Sequence, residues 1–329
     1  EGLLRELGQG TSSGGKPPTL LAINERGRDI VALDLGHRPF RGALVDLSGR
    51  IYERLQADDS DGSPTGEAAS RLAQDMIEAL VSKAGAPVLG IGVGTPGVVD
   101  SEGKVVEAAN LDWHGLDLGA QLRRRFELPV SIANDAGMAA LAEFRRHRVD
   151  RNLILIKQGR GVGAGVVLSG ALFRGQHSAA GEIGHVRVEG SDELCRCGNV
   201  GCLETVAAVP AILRRLGADP EQHPWDALVL TGIFGEEPVR EAISEAGKQL
   251  GMALATVVAT IDVSHIVLAP ELLNASDMLV AALGGELRSR ILHSSAELVE
   301  IEATQLGGDL VLLGSASAVL IDRLGAVLR

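Results

Sequence analysis

The chain has 329 residues, of which 45% are hydrophobic, 22% charged and only 2% aromatic, with a formal net charge of -12 at pH 7. That length allows two lobes and a sizeable core, while no apolar run is long enough to cross a bilayer and no basic, apolar leader opens the chain, so the cytoplasm is the expected compartment. An acidic body repels phosphate backbones and few aromatics are available to stack on bases, so any contact with nucleic acid has to come from a small local element.

The first residue is Glu rather than Met, so a preceding natural segment is expected. Residues 3–7 and 19–23 read as short strands around a Gly/Ser-rich tip, where Gly14, Gly15, Lys16 and Pro17 form an extended cationic end. Taken alone this is a surface hairpin or a tail, although so thin a basic tip also suits a minor groove. From Ile30, the runs I-V-A-L-D-L-G, R-G-A-L-V-D-L and R-I-Y-E-R-L read as a strand meander. Residues 63–84 carry Leu72, Met76, Leu80 and Ala84 at helical spacing. Residues 88–94 form a buried strand that enters the tight turn Thr95-Pro96-Gly97, and 116–125 form a helix. The strand at 130–133 ends in Asn134-Asp135, a position that favours a carboxylate as the cap of a helix over 136–147. A strand at 153–157, a glycine-rich loop at 159–165 and helices at 206–216 and 239–261 follow. A strand at 265–271, a helix at 272–292, a strand at 298–303 and a closing helix at 310–328 complete the chain. His223, His265 and His293 are scattered and read as structural or surface histidines.

The densest chemistry lies in G-E-I-G-H-V-R-V-E-G-S-D-E-L-C-R-C-G-N-V-G-C-L-E, residues 181–204. All three cysteines, Cys195, Cys197 and Cys202, fall there, with His185 just upstream. Three thiolates and one imidazole in a short loop form a Cys3His donor set suited to tetrahedral zinc. Gly198 and Gly201 let the backbone turn tightly enough to aim the sulfurs at one point. The alternative is three ordinary buried or oxidised cysteines. A Cys195–Cys197 disulfide would be strained, and the odd count argues against a disulfide framework. Glu182 and Glu204 flank the loop, either as acceptors for ligand hydroxyls or as solvated surface carboxylates. If one His185 nitrogen binds metal, the other is fixed as a donor.

G-E-x-G-H followed by C-x-C-G-x-x-G-C-x-E resembles the signature of the ROK family of repressors, open reading frames and sugar kinases, and the resemblance runs from about Ile30 onward. It implies an α/β, actin-like sugar-kinase (ribonuclease H-like) fold of two lobes with a remnant of an N-terminal winged-helix domain. Residues 28–138 plus 312–329 would form the N-terminal lobe, residues 139–311 the C-terminal lobe with the zinc loop, and residues 1–27 the wing and linker of a truncated winged helix-turn-helix domain. In such proteins, structural zinc held by the residues matching His185, Cys195, Cys197 and Cys202 positions a loop under a bound sugar. Sugar contacts then fall to Asn110 (in Asn110-Leu111-Asp112-Trp113, similar to the family's N-L-x-W), Asn134, Asp135, Glu182, His185 and Glu204. The wing of family repressors carries G-G-(R/K)-P at its tip, which makes Lys16 a candidate for DNA contact. The recognition helix is absent from the sequence, so tight operator binding by the chain as given is not expected.

Where kinases of the family have D-x-G-G-T-K, this chain has Asp34-Leu35-Gly36-His37-Arg38-Pro39. Larger side chains enter where ATP phosphates pack, and Pro39 removes an amide donor. Ala269 and Pro270 stand where family kinases have paired glycines, whereas Gly159 to Gly165 still resembles the second phosphate loop. The residue matching Asp135 takes the proton from the attacking sugar hydroxyl in those kinases; here it could accept a hydrogen bond without any chemistry following. The expectation is a non-enzymatic, sugar-responsive regulator, in the branch resembling xylose, glucose and N-acetylglucosamine-type repressors. It would bind a monosaccharide effector between its lobes, carry zinc, form a homodimer or homotetramer and meet operator DNA through the N-terminal element. A ROK sugar kinase using Asp135 and a non-catalytic dimeric scaffold are the alternatives.

Overall fold

The structure, a computed structural model, describes residues 2–11, 14, 16–57, 64–147 and 152–325. Gly15, Ser63 and residues 326–328 of the expected closing helix lie outside the described residues. The chain divides into two compact units, Glu1–Met138 with Val311–Arg329, and Ala139–Leu310.

In the first unit, β1 (Leu4–Gln9) and β2 (Thr19–Ile23) pair antiparallel as an isolated hairpin. Its Leu4, Leu7, Leu20 and Leu21 are all exposed. Strands β3 (Asp29–Asp34), β4 (Arg41–Asp46) and β5 (Ile51–Gln56) form an antiparallel meander. After α1 (Gly66–Ser82), β6 (Val88–Thr95) joins β3 in parallel. A small antiparallel sheet of β7 (Val98–Val99), β8 (Val105–Ala108) and β9 (Trp113–Leu116) follows. Next come α2 (Leu118–Phe126), β10 (Val130–Asn134) and α3 (Asp135–His147), which crosses from one unit into the other. The main sheet reads β10-β6-β3-β4-β5. It is buried on both faces, which is why its central strands read as nearly unbroken apolar runs. Successive side chains alternate sides. Val31 and Leu33 pack with Ile77, Leu80, Leu118 and Leu122. Ile30 and Ala32 pack with Leu312, Ala316 and Val319 of the last helix, α10 (Leu310–Leu324, numbered in chain order). That helix lies close because β6 has Gly92 and Gly94 opposite it; a Cβ at either would overlap Ser315 or Val311.

The second unit repeats the strand arrangement. Strands β11 (Leu153–Gln158), β12 (Val162–Leu168) and β13 (Ala171–Leu172) are antiparallel. They are followed by α4 (Glu204–Ala207), α5 (Val209–Arg215), α6 (Ala227–Phe234) and α7 (Glu236–Ile261). Strand β14 (His265–Pro270), α8 (Ser276–Arg290), α9 (His293–Ala296) and β15 (Glu300–Ala303) complete the unit. The sheet order is β13-β12-β11-β14-β15, with β14 parallel to both β11 and β15. Helices α7 and α8 pack tightly because Gly247 and Gly251, one turn apart on α7, face the α8 backbone.

Several elements differ from the sequence expectation. The second half of the glycine-rich stretch is strand β12, because its inner neighbours Ala164 and Val166 are buried against the core. Leu116 ends β9, and the following helix starts at Leu118, where the Asp117 side chain accepts from Ala120 N and caps it. Helix α6 was not anticipated; Asp226 caps it through the amides of Leu228 and Val229.

Candidate metal centre and ligand-binding residues

The segment carrying Glu182 and His185 lies flush against β12. A Cβ at Gly181 or Gly184 would run into the carbonyls of Ala164 and Val162, so only glycine permits this approach. Glu182 then leads into a short 3-10 turn, Ile183–His185. Residues 187–202 fold back as a compact knuckle, held by bridges of Arg187 with Cys202 and Leu194 with Val200. Gly198 and Gly201 take φ values of +90° and +76° inside it, which a residue with a Cβ rarely adopts.

This folding brings His185, Cys195, Cys197 and Cys202 together, with all donor atoms within 4.8 Å of one another. Cys197 Sγ is 3.6 Å from Cys202 Sγ, and Cys195 Sγ is 3.6 Å from His185 Nδ1. Around a tetrahedral zinc ion, bonds of about 2.3 Å to sulfur and about 2.0–2.1 Å to nitrogen set S···S edges of about 3.8 Å and S···N edges of about 3.6 Å. The residues present therefore fit a tetrahedral metal ion, and all three cysteines are free. Cys195 and Cys202 are buried, whereas Cys197 is exposed.

The three sulfurs are unequal. Burial, and then the bond that its Sγ donates to Glu204 Oε1 at 2.9 Å, pushes the Cys195 thiol up. Burial also pushes at Cys197, but the Asn199 amide and the neighbouring Cys195 and Cys202 bring its thiol below the ordinary value. His185 turns Nδ1 towards Cys195, while Nε2 faces Glu182 Oε2 at 3.8 Å. That distance is too long for a hydrogen bond and leaves Nε2 available to a ligand. Glu182, His185 and Glu204 thus converge on the metal loop within the second unit. Glu204 also packs against the glycine-rich loop, where a Cβ at Gly161 would come 2.7 Å from its Oε2.

The loop carries a feature that sequence reasoning missed. The Glu271 carboxylate presses on Gly159, so that a Cβ there would overlap it, and Lys157 Nζ donates to Glu271 Oε1 at 2.7 Å. Glu271 directly follows Ala269-Pro270, and its backbone amide bonds to Gln158 O at 2.7 Å. The parallel register of β11 with β14, which sets Gln158 opposite Pro270, is the signal that could have placed it.

In the first unit, Asn134 Nδ2 donates to Gly97 O at 2.9 Å, and its Oδ1 accepts from Ala136 N at 2.9 Å. Asn134 therefore joins the Thr95-Pro96-Gly97 turn to the start of α3. Asp135 stands in the first turn of that helix, its Oδ1 accepting from Ala136 N at 2.8 Å. Gly36 abuts the other carboxylate oxygen. Asn110 is exposed in a 3-10 turn after β8. Arg38 reaches across to it, donating to Asn110 O at 3.2 Å and to Pro64 O at 3.0 Å. Lys16 is exposed in the connection between β1 and β2.

The profile of the ROK family matches residues 30–321. The chain belongs to the ROK family. It is 30% identical to a xylose repressor of Caldicellulosiruptor bescii over 98% of this chain and 86% of that protein. A solved ROK family transcriptional regulator, a homologue of the Escherichia coli MLC protein, shares 25% identity at a TM-score of 0.83, over 99% of this chain and 87% of that one. A ROK glucokinase from Streptomyces griseus, solved with glucose and AMPPNP, shares 28% identity at a TM-score of 0.72, over 88% of this chain and 98% of that one. ROK regulators and ROK kinases thus both share this two-unit fold. Among the described residues, no helix is long and apolar enough to cross a membrane.

Proposed function

We propose that this ROK protein is the sugar-sensing body of a transcriptional repressor and does not transfer phosphate. The observation that carries the reading is the Glu271 carboxylate lodged against Gly159 and paired to Lys157. A phosphate approaching that loop would find the space beside Gly159 taken by the carboxylate and the Lys157 cation already neutralised by it. At the other phosphate loop, Arg38 is held by the carbonyls of Pro64 and Asn110, and Pro39 has no amide to donate.

In this reading Asn110, Asn134, Asp135, Glu182, His185 and Glu204 are the residues that meet a monosaccharide. The Cys3His cluster holds structural zinc, which when bound would cross-link the loop and supply no reaction. Cys195 in its thiolate form no longer donates to Glu204, whose carboxylate becomes available to a sugar hydroxyl. The β1–β2 hairpin is the wing of a winged-helix domain, with Lys16 at the DNA. Sugar binding shifts the geometry of a homodimer or homotetramer in the cytoplasm and so changes operator affinity. Xylose is the first sugar to test, given the repressor relative. Calorimetry with xylose, glucose, mannose and N-acetylglucosamine is expected to show one binder, and heat from none of them would defeat the reading.

A second reading, an ATP-dependent sugar kinase, is favoured by Asp135 in the first turn of α3 and by the glucokinase relative. It requires hexose-stimulated ADP release that disappears in Asp135→Asn.

A further inference from the structure

At the end of α3, away from the cysteine loop in sequence, His147 meets His265 at the start of β14 and Glu302 in β15. The two imidazole rings stack edge to face with centroids 4.6 Å apart. Glu302 Oε1 lies 2.9 Å from His265 Nε2 and 3.1 Å from His147 Nε2. The same His147 Nε2 lies 3.5 Å from Oε2 of the fully buried Glu143 and 2.7 Å from Arg146 Nη2.

No proton assignment satisfies these contacts. An imidazole nitrogen carries either a proton or a lone pair, whereas guanidinium only donates and ionised carboxylates only accept. With a proton, His147 Nε2 faces the Arg146 donor; without one, it turns its lone pair on Glu302 and Glu143. A cation resolves the conflict, because both imidazole lone pairs and the Glu302 carboxylate can point at it together. Arg146 need not be lost from the cluster, since its Nε already donates to Glu143 Oε2 at 2.7 Å.

We propose that His147, His265 and Glu302 form a second metal site, for a borderline divalent ion such as zinc, cobalt or nickel. The three donor atoms lie within 4.8 Å of one another, and two imidazoles with one carboxylate are a donor set of this class. A cavity of about 350 Å³ gives the ion a way in; His265 lines it together with Asn152, Asp262, Ser264 and Glu300. The acidic rim favours a cation, and Arg146 is its internal competitor.

The test is equilibrium dialysis of the full chain, its cysteine site already zinc-loaded, against micromolar cobalt(II), with metal counted by mass spectrometry. The expected result is one further equivalent lacking the thiolate-to-cobalt charge-transfer band of the cysteine centre. Glu302→Gln and His265→Gln should weaken this uptake by more than the roughly 10–100-fold typical of losing an outer partner. Arg146→Gln should tighten it, an effect that a plain ion-pair network would not produce. No second equivalent in the wild-type protein overturns the site, as does a second equivalent that survives Glu302→Gln. The wild-type measurement decides even if a variant does not fold.

Discussion

Glu271 rests against Gly159, its carboxylate filling the space that any side chain on that glycine would need. Glu271 directly follows β14, which ends in Pro270, and its carboxylate takes up the space beside a phosphate-like loop while neutralising Lys157. Glu271→Gly should therefore raise affinity for a fluorescent ATP analogue at least tenfold. It should do so without hexose-dependent ADP release, because Arg38 and Pro39 still occupy the other loop. Micromolar nucleotide binding by the unmodified protein, unchanged in the variant, would contradict this account. The same substitution leaves Lys157 without its carboxylate, at a stability cost of about 1–3 kcal/mol.

Cys197→Ser is the cleanest probe of the metal centre, because Cys197 is exposed while Cys195 and Cys202 are buried. If zinc is present at about 100 times its dissociation constant, it adds about 2.7 kcal/mol. At about 2–4 °C per kcal/mol, losing it lowers the melting temperature by about 5–10 °C. Sugar affinity should fall together with zinc content, because the Cys195 thiol again engages Glu204. Calorimetry and metal analysis on the same samples check both; full sugar affinity in metal-free protein would separate the loop from the pocket.

The metal loop was legible in sequence because its donors are close along the chain and its glycines mark the turns. The main strands were legible because sheets buried on both faces leave apolar runs, as in Ile30 to Leu33. Strands β7 to β9 were not, since pieces of two to four residues carry too little alternation to register. Helix α6 was hidden by its apolar surface: Leu228, Val229 and Ile233 are exposed and blur the helical stripe. His265 looked isolated because its partners, His147 and Glu302, come from α3 and β15 and meet it only through the parallel pairing of β14 with β15 and the packing of α3.

The close approach of α7 and α8 gives a stability test remote from any site. A Cβ at Gly251 would overlap the Leu283 carbonyl, which is backbone and cannot swing away. Gly251→Ala is therefore expected to destabilise the second unit by about 1–3 kcal/mol, despite the better helix propensity of alanine. Thermal unfolding should show the loss, and zinc content should be unchanged. Gly285→Ala on α8, where nothing lies within 4 Å, is the control and should be neutral or stabilising.

Gly36, which abuts Asp135, offers the sharpest test of the sugar contact proposed for that carboxylate. Asp135→Asn keeps an oxygen for the Ala136 amide, so the start of α3 should survive and the melting temperature should hardly move. What is lost is a charged acceptor worth about 1.5–3 kcal/mol, or roughly 10–100-fold in sugar affinity. Gly36→Ala leaves the carboxylate intact but pushes a methyl into Asp135 Oδ2, so it should reproduce the affinity loss by displacement alone. Calorimetry on both variants distinguishes a carboxylate that meets the sugar from one that only caps a helix. In the capping case, neither variant changes sugar affinity.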